Sequence, residues 1–374
     1  MQSYSDQFHA LGTMLQCYRQ DWQQRPFTCQ HWPFDDFSEA QLSSGAALAM
    51  RPLLAPWLDY RLPEASKVPL RTPTRLASGI GGRKWQQITD FAGAADVNGP
   101  ALEWCAGKGH LGRLLAVNGQ AVLSLELQLQ LCQQGETLAQ HWQVPQQFVC
   151  ADALTPAAAQ FFEPARQALA LHACGRLHMT FLRQAVNASV QRLTLSPCCY
   201  HLIDDEHYQP MSQQGRQQQL SLSRFDLKLP LEELVTGGAR AGRLRQQENR
   251  YRLAFDALQQ DLGGEGYLPV PSAPKTLFNG SFADFAGWAA AQKGLTLPPS
   301  LDSEYYLAVA DARLPLINRI NQVRHWYRRP LELWLLLDRV CYLQEAGYKV
   351  SLSTFTDHHN TPRNALIDAT KEPV

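Results

Sequence analysis

An acid followed by two closely spaced glycines is the pattern in this sequence that constrains its chemistry most. Residues 102–110 (LEWCAGKGH) carry Glu103 near the end of a short apolar strand, and Gly107 and Gly109 follow as a tight turn. Glycine supplies backbone angles that other residues resist and lets the backbone approach a ligand closely. A helix is predicted from about Leu111, so its free N–H groups and the positive end of its dipole face the same ligand. The segment therefore predicts a nucleotide-type cofactor site.

Two further acids follow short apolar segments downstream. Glu126 ends residues 121–126, seventeen positions after Gly109. An acid at about this offset in nucleotide-binding α/β sheets hydrogen-bonds the ribose hydroxyls, so Glu126 is predicted as the ribose ligand. The alternative is a solvated carboxylate at a strand end. Asp152 follows residues 147–150, and it serves either the cofactor or, as an N-cap, the next helix.

Two more apolar segments, residues 168–175 and 192–201, complete a series of short strands spaced by helical segments. This alternation is typical of a doubly wound parallel sheet. Ligands of such sheets bind beyond the carboxyl ends of the strands. Because each motif falls at such an end, the motifs are expected to share one cleft.

Three short strings narrow the family. Residues 106–111 (AGKGHL), 172–175 (HACG) and 196–201 (SPCCYH) together resemble class I S-adenosylmethionine (SAM)-dependent methyltransferases. The resemblance is to the branch that contains the methyltransferase-like domain of the glutathione S-transferase C-terminal domain-containing protein and eukaryotic methyltransferase-like relatives. It extends more distantly to the tRNA ribose methyltransferases.

The resemblance covers residues 78–202 and resumes at 335–339 (LLLDR) and 361–364 (TPRN). It implies SAM as the cofactor and an α/β fold, a Rossmann-like class I methyltransferase sheet of seven strands with the last antiparallel. A helical N-terminal layer and a large, mostly helical insertion after the fifth strand are expected to accompany this sheet. The resemblance also implies that Asp152 accepts a hydrogen bond from the adenine amino group, and it departs at Cys105, which replaces the usual first glycine of the turn. The residues predicted to bind the cofactor are Glu103, Cys105, Ala106, Gly107, Gly109, His110, Leu111, Glu126, Leu127, Asp152, Ala153, His172, Ala173 and Cys174.

Residues 196–200 resemble the Asn/Asp-Pro-Pro-Tyr/Phe loop of amino methyltransferases, although here the loop follows the fifth strand rather than the fourth and begins with serine. By this resemblance Ser196 and the carbonyl of Pro197 accept hydrogen bonds from the target amine. Tyr200 stacks on the base. His201 is predicted as a possible general base, since histidine titrates near neutral pH. A packed or helix-capping histidine is the alternative.

Four cysteines, Cys105, Cys174, Cys198 and Cys199, fall at strand ends on one edge of the predicted sheet. Converging thiolates can bind zinc or an iron–sulfur cluster, and this alternative stays open. However, the spacing is not the local Cys-x-x-Cys of a zinc site, and the adjacent pair is expected to point to opposite sides. Small, semi-polar residues lining a cofactor pocket also account for the cysteines, so no metal is predicted. Residues 357–359 (DHH) are a weaker metal candidate and are interpreted as a polar loop.

The chain is predicted to contain four regions. These are a helical N-terminal region (1–75), a SAM-binding Rossmann-like core (76–202), an insertion for substrate recognition (203–328), and a C-terminal helix and strand hairpin that complete the core (329–374). An insertion beside the cleft commonly carries substrate specificity, because the scaffold holds it over the site.

The insertion contains two basic clusters, one within residues 240–252 and one within 319–329, where aromatic residues are interleaved. Such clusters suit phosphate contact and base stacking, so RNA is the predicted partner. The alternative is the solvated face of an amphipathic helix. The predicted substrate-binding residues are Arg240, Arg243, Arg245, Trp326 and Arg328.

The composition bounds these predictions. The chain has 374 residues, and its 34 basic and 34 acidic side chains give a net charge of zero, so no global field draws it to nucleic acid or membrane. No apolar run approaches the ~18 residues of a membrane span, and no signal segment is visible, so a cytoplasmic protein with reduced cysteines and no membrane partner is expected. Three functions fit: methylation of RNA at a base amine or ribose hydroxyl of tRNA or rRNA, methylation of a protein or small molecule, and SAM binding without catalysis.

Overall fold

Seven β-strands form one mixed sheet in the computed structural model, which describes residues 3–232 and 238–372, with the backbone alone for 238–241. The strands are β1 (Ala101–Trp104), β2 (Val122–Glu126), β3 (Gln146–Cys150), β4 (Gln167–Cys174), β5 (Arg192–Cys198), β6 (Tyr348–Thr354) and β7 (Ala365–Lys371). Their order is β3-β2-β1-β4-β5-β7-β6. β1 to β5 pair in parallel, and β7 runs antiparallel to both of its neighbours. The predicted seven-stranded sheet with an antiparallel last strand is confirmed.

The central strands explain where a ligand can bind. β1 is buried at every residue and β4 at its first four, as expected of parallel strands that helices cover on both faces. β1 pairs with β2 on one side and with β4 on the other, so the strand order reverses there. In open α/β sheets such a switch point opens a crevice beyond the carboxyl ends of the strands. The glycine turn that follows β1 therefore lies at this crevice.

Most of the remaining described chain is helical. The α-helices are α1 (Tyr4–Cys17), α2 (Arg19–Trp22), α3 (Glu39–Ser43), α4 (Ala46–Ala49), α5 (Ala55–Leu58), α6 (Gly82–Ala95), α7 (His110–Val117), α8 (Leu129–Trp142), α9 (Arg176–Asn187), α10 (Gln213–Gln218), α11 (Gly238–Asp261), α12 (Phe282–Lys293), α13 (Ser303–Trp326) and α14 (Arg328–Glu345). Short 3-10 helices span Pro26–Thr28, Thr74–Ala77, Pro156–Phe162, Asp226–Leu231 and Lys275–Asn279. Among the described residues, no helix is long and apolar enough to cross a membrane.

The chain folds into two compact units. The sheet unit contains the strands and comprises Met1–Cys17, Asp59–Leu231 and Arg329–Val374. The helical unit comprises Tyr18–Leu58 and Glu232–Arg328. Each unit is therefore built from segments that are distant in sequence.

These units differ from the predicted regions at two places. The predicted N-terminal region (1–75) is divided, because α1 packs Phe8 against Trp334 of α14 in the sheet unit, with ring centroids 5.2 Å apart. The predicted insertion (203–328) begins inside the sheet unit, because its first segment is hydrogen-bonded to Asp338 of α14. Tertiary contacts rather than chain order thus decide both boundaries.

The helical unit has its own hydrophobic core. Tyr251 and Phe255 of α11 meet Phe285 of α12, with ring centroids 5.7 Å and 6.3 Å from that of Phe285. A buried ion pair lies elsewhere in the unit, where Nε and Nη2 of Arg51 donate to the carboxylate of Asp21 at 2.6 Å and 3.0 Å. Such two-pronged pairs are among the stronger polar contacts. The mostly helical character predicted for the insertion is confirmed.

Candidate cofactor site

The turn after β1 contains three residues in the left-handed region of backbone space. Cys105, Gly107 and Gly109 have φ of 57°, 59° and 62°. A Cβ on Gly109 would overlap Gln146 and Phe148, whereas a Cβ on Gly107 would meet no atom within 4 Å. Gly109 is therefore required by packing, and Gly107 faces open space where a ligand can approach the backbone. Cys105 adopts the conformation that suits the usual glycine, at a cost of about 1–2 kcal/mol.

The carboxylate of Glu126 holds this turn against the end of β2. Its Oε2 accepts a hydrogen bond from the N–H of Gly107 at 2.8 Å, and its Oε1 accepts one from the N–H of Gln128 at 3.0 Å. Each carboxylate oxygen can accept more than one hydrogen bond, so both oxygens can still bind hydroxyls. The open turn and the carboxylate together fit the nucleoside part of SAM. The contact between Glu126 and the ribose stays a prediction.

Glu103 lies behind the turn rather than in the open space. The residue is 4% exposed, and its Oε2 accepts a hydrogen bond from Oγ of Ser124 at 2.7 Å. The N–H of Gly112 in α7 also donates to this carboxyl group, and a Cβ on Gly112 would overlap it. Burial raises the pKa of Glu103 to about 7. The predicted cofactor contact is therefore corrected, because Glu103 is enclosed by the packing of α7 and positions the start of that helix.

The other predicted cofactor residues of this region differ in exposure. Leu111 belongs to the hydrophobic core, so its side chain packs rather than binds. Asp152 is exposed, and its Oδ1 accepts a hydrogen bond from the N–H of Leu154 at 2.9 Å. Asp152 is not the N-cap considered above, because the next helix, Pro156–Phe162, has Thr155 at that position. Burial lowers the pKa of His110 to about 4, so its ring is neutral at pH near 7. Of the remaining residues, Ala106 is half-buried, Ala153 is buried and Leu127 is exposed.

β4 ends in an irregularity that changes the direction of its side chains. The register between β4 and β5 shifts between Leu171 and Cys174, and His172 has φ of 57°. Nε2 of His172 lies 3.0 Å from Oε1 of Gln87 in α6. Burial lowers the pKa of His172 to about 4, so this ring is also neutral at physiological pH. The carbonyl of Ala173 contacts a buried histidine of α9, so neither residue presents a charge to the cofactor.

Three thiols converge where β4 and β5 end. The Sγ atoms of Cys174, Cys198 and Cys199 all lie within 4.8 Å of one another, and the first two are 3.4 Å apart. The expectation that Cys198 and Cys199 point to opposite sides is wrong, because β5 ends at Cys198 and Cys199 has φ of 49°. Hydrogen bonds among the thiols lower the pKa of Cys199 to about 5 and raise the pKa of Cys198. Cys105 lies outside this group, and burial raises the pKa of its thiol to about 12.

Three of the four predicted catalytic residues, Ser196, Pro197 and Tyr200, are buried. Ser196 is 0% exposed, and its Oγ donates to the carbonyl of Arg363 at 3.2 Å. Tyr200 is 2% exposed, and the guanidinium of Arg339 lies 5.1 Å from the centroid of its ring. The roles of hydrogen-bond acceptor and stacking platform are therefore corrected. The physical reason is that β5 continues through residue 198, so Ser196 and Pro197 are buried strand residues rather than members of an open loop.

His201 is the predicted catalytic residue that remains partly accessible. It is half-buried, and its Nδ1 is enclosed with no hydrogen-bond partner among the residues that the structure describes. Burial lowers the pKa of His201, so its ring is neutral and able to accept a proton. The exposed guanidinium of Arg363 acts electrostatically on both His201 and Cys199. The end of β5 thus combines a proton acceptor with a cation.

Asp338 and Arg339 of α14 form buried hydrogen bonds with residues that follow β4 and β5, and no role was predicted for them. The carboxylate of Asp338 accepts hydrogen bonds from Oη of Tyr208 at 2.5 Å and from Oγ of Ser212 at 2.6 Å. Nε of Arg339 donates to Nε2 of the buried His178 at 2.9 Å. Both residues lie in the LLLDR string, so the available signal was an acid and an arginine side by side within an apolar stretch of the helix.

The predicted substrate residues lie in the helical unit, and they differ in what they can contact. Arg243 and Arg245 are exposed on α11. Arg240 lies outside the residues whose side chains are described. Trp326 is half-buried against an aromatic cluster of its unit, and Arg328 donates to a backbone carbonyl there at 3.1 Å. Among the predicted substrate residues whose side chains are described, Arg243 and Arg245 are therefore the exposed ones.

Comparison with solved structures gives only distant likenesses. An rRNA methylase from Streptococcus thermophilus is 13% identical, with a TM-score of 0.26, 32% of this chain covered and 74% of that chain. TrmN from Thermus thermophilus is 18% identical, with a TM-score of 0.28 and coverages of 36% and 45%. An S-adenosylmethionine-dependent methyltransferase from Clostridium acetobutylicum is 12% identical, with a TM-score of 0.26 and coverages of 32% and 52%. The chain thus spans about half the length of the last two, and at these TM-scores the likenesses carry no functional argument.

Comparison with families is more informative. No curated protein matches the chain. Residues 83–206 match the family model described as a methyltransferase domain. The matched segment contains β1 to β5, the glycine turn and the three converging thiols. This part of the chain is therefore similar to a methyltransferase domain, and the cofactor indicated for it is SAM.

Proposed function

We propose that this chain is a SAM-dependent methyltransferase that modifies RNA, from the branch whose HACG and SPCCYH strings it carries. The observation that carries methyl transfer is the match of residues 83–206 to a methyltransferase domain, centred on the open turn at Gly107. The exposed side chains of Arg243 and Arg245 support RNA as the acceptor class, because arginines bind phosphates and stack on bases. The acceptor atom would be a base amine or ribose hydroxyl of tRNA or rRNA.

SAM supplies a methyl group activated by its sulfonium, so the protein has mainly to align and enclose the reacting pair. The backbone at Gly107 and the carboxylate of Glu126 bind the nucleoside end. Asp152, exposed at the end of β3, contacts the adenine. The buried Nδ1 of His201 has no hydrogen-bond partner among the described residues. His201 takes up the proton that the methylated amine or hydroxyl of the RNA loses. Arg363 provides a positive charge at the same edge.

The proposed RNA contacts do not include all the residues of the two basic clusters. In the first basic cluster, Arg250 is paired with Asp311 at 2.6 Å. In the second, Arg324 is buried and Tyr327 donates to the buried Asp21 at 2.5 Å. These side chains serve the packing of the helical unit, so the interpretation of the whole second cluster as a phosphate-binding surface is corrected. The proposed contacts with phosphate are limited to the beginning of α11.

Transfer of tritium from methyl-labelled SAM tests the proposed function. Purified chain is incubated with a lysate, and the label is followed after digestion with ribonuclease or with protease. We expect ribonuclease to release the label and protease to leave it in RNA. Label that resists ribonuclease and is released by protease would favour a protein acceptor. Label found in neither RNA nor protein would favour a small-molecule acceptor. SAM binding in calorimetry without any transfer would favour a non-catalytic module.

Charge reversal on α11 tests the RNA surface itself. The double variant Arg243→Glu/Arg245→Glu should weaken RNA binding and lower the dependence of log Kd on log salt concentration by about 2, since each phosphate contact contributes ~0.9. The control Arg71→Glu/Arg183→Glu removes the same charge from exposed arginines of the sheet unit. Equal losses in both variants would show a general charge effect and contradict a binding surface on α11.

A further inference from the structure

The three thiols at the ends of β4 and β5 have the arrangement of metal ligands. The Sγ atoms of Cys174, Cys198 and Cys199 lie within 4.8 Å of one another. Within the described part of the chain, no other three histidine, cysteine, aspartate or glutamate side chains form such a group. Zn–S bonds of about 2.3 Å at tetrahedral angles place sulfur atoms ~3.8 Å apart, which is close to the 3.4 Å between Cys174 and Cys198.

The backbone is distorted at the two places that build this cluster. His172 precedes Cys174 with φ of 57°, and Cys199 has φ of 49°. Neither residue is glycine, and each such conformation costs on the order of 1–3 kcal/mol. The register of β4 and β5 also shifts so that Cys174 comes opposite Cys198. Without these departures the adjacent cysteines would point to opposite faces, so the strain is what brings the third sulfur to the other two.

Two of the three cysteines in the cluster are partly accessible. Cys198 is buried, whereas Cys174 and Cys199 are half-buried, so an ion has a route to all three sulfurs. Oxygen-preferring cations such as Mg²⁺ do not suit a donor set made of sulfur alone. An iron–sulfur cluster takes four cysteine thiolates, and the fourth cysteine of this edge, Cys105, is not in the group. Zinc accepts three protein ligands and leaves its fourth position to an exchangeable ligand.

The surroundings suit the resulting charge. Three thiolates and one Zn²⁺ carry a net negative charge, and the guanidinium of Arg363 acts electrostatically on Cys174 and Cys199. The Sγ of Cys198 is 3.4 Å from the carbonyl oxygen of His172, to which the thiol donates weakly. Metal binding replaces these thiol hydrogen bonds with metal–sulfur bonds and releases the remaining thiol protons.

We propose that Cys174, Cys198 and Cys199 form a binding site for one Zn²⁺ ion, with the fourth coordination position open at the carboxyl edge of the sheet. The site adjoins the crevice beside the glycine turn, because β1, β4 and β5 are parallel neighbours that end at this edge. This inference is independent of the acceptor that the methyltransferase domain uses. It is tested by measuring the metal content and the absorption spectrum of the bound metal, not methyl transfer.

Metal analysis of the purified full chain tests the proposal. We expect one zinc per chain after purification without chelator, and zinc that is removed by chelator and restored by Zn²⁺ alone. Co²⁺ added to the reduced, metal-free chain should give the intense sulfur-to-metal absorption of a tetrahedral thiolate site. Absence of both zinc and the Co²⁺ absorption would overturn the proposal. Stoichiometric iron with labile sulfide would also overturn it, because the site would then be a cluster.

Serine variants identify the ligands. Cys174→Ser and Cys199→Ser should each lower the affinity for Co²⁺ by about 100-fold or more, since even the loss of an outer-shell partner costs 10–100-fold. The matched controls are Cys105→Ser, at the same edge, and Cys341→Ser, buried elsewhere. Both should bind Co²⁺ with the affinity of the unmodified chain. Thermal unfolding in the absence of metal checks that each variant folds. If Cys198→Ser does not fold, the two half-buried positions still decide the question. Binding that survives in Cys174→Ser/Cys199→Ser would show an adventitious ion and overturn the proposal.

Discussion

The carboxylate of Glu126 accepts a hydrogen bond of 2.8 Å from the backbone N–H of Gly107, so the end of β2 holds the turn that follows β1. This contact joins the two motifs that were recognised separately in the sequence. It also places a charged acceptor beside the open space that Gly107 leaves. The geometry of the cofactor site therefore depends on Glu126, which holds the turn in place and is predicted to bind the ribose of the cofactor.

Glu126→Gln should lower the affinity for SAM by about tenfold or more, because hydrogen bonds to a charged acceptor contribute about 1.5–3 kcal/mol. The amide has a single acceptor oxygen, so it cannot hold the N–H groups of Gly107 and Gln128 and also bind ribose. Isothermal titration calorimetry measures the affinity. Glu163→Gln, at an exposed position of the same unit, should bind SAM as the unmodified chain does. Equal affinities of the two variants would contradict the role of Glu126.

Alanine at the two turn glycines should separate ligand binding from folding. Gly107→Ala places its Cβ in open space, so it should weaken SAM binding while costing only about 1–2 kcal/mol of stability for the left-handed backbone. Gly109→Ala should destabilise the fold by a further ~1–3 kcal/mol, because its Cβ overlaps Gln146 and Phe148.

Gly119→Ala is the matched control for this pair, since Gly119 has φ of 87° and a Cβ there meets no atom within 4 Å. It should show the backbone cost alone and unchanged SAM affinity. Denaturant unfolding and calorimetry measure the two quantities. Loss of SAM affinity in Gly119→Ala as large as in Gly107→Ala would refute the assignment of the open space to the cofactor.

The buried carboxyl of Glu103 should make the stability of the chain pH-dependent. Burial raises its pKa from 4.5 to about 7 on folding. The folded state then binds more protons than the unfolded state in this range, so the contribution to stability is full below pH 4.5 and is lost as the pH rises through about 7. The loss is on the order of 3 kcal/mol.

Glu103→Gln stays neutral, so the free energy of unfolding of the unmodified chain minus that of the variant should decrease from about pH 5 to about pH 8. Urea unfolding at several pH values measures this difference. Any pH-independent loss of stability caused by the substitution itself does not affect how this difference changes with pH. A difference that does not change with pH would mean that Glu103 is not a buried titrating group.

Asp338→Asn should destabilise the sheet unit by about 3–5 kcal/mol, because Asp338 is fully buried and accepts four hydrogen bonds, from Tyr208, the N–H of Met211, and both the N–H and Oγ of Ser212. The amide keeps one acceptor oxygen and turns a donor toward these groups. Thermal and denaturant unfolding check the loss. The control Asp204→Asn breaks an exposed pair with Arg176 and should cost at most about 1 kcal/mol. If Asp338→Asn lost no more stability than Asp204→Asn, the hydrogen bonds to Asp338 would not be needed for the stability of the fold.

The strands and the turn were predictable because their signals are local. Short apolar runs mark β1 to β7, and the glycines with a following helix mark the turn at residues 102–110. The distance in sequence from Gly109 to Glu126 indicated an acid at the next strand end, and the structure places that acid against the turn. Periodicity and turn chemistry involve residues that are neighbours in sequence, so tertiary packing did not alter them.

The roles of individual side chains were less predictable, because they depend on contacts with distant residues. Glu103 stands beside the turn in sequence, but Gly112 and Ser124 enclose its carboxyl group. Ser196 belongs to a string that resembles a substrate-binding loop, but the extent of β5 makes it a buried strand residue bonded to Arg363. Neither outcome follows from the local string, since it requires the partner strand and helix.

By itself, the sequence determined the α/β sheet, the place of the cofactor turn and the acid at the end of β2, because short-range backbone preferences decide each of them. Only the tertiary structure decided which arginines are exposed and which segments share a unit. It also decided that Cys198 and Cys199 meet Cys174. That meeting needs a left-handed residue after the last strand residue and a register shift in the neighbouring strand. Strict alternation along a strand forbids it, and only the packing of the strand ends can impose it.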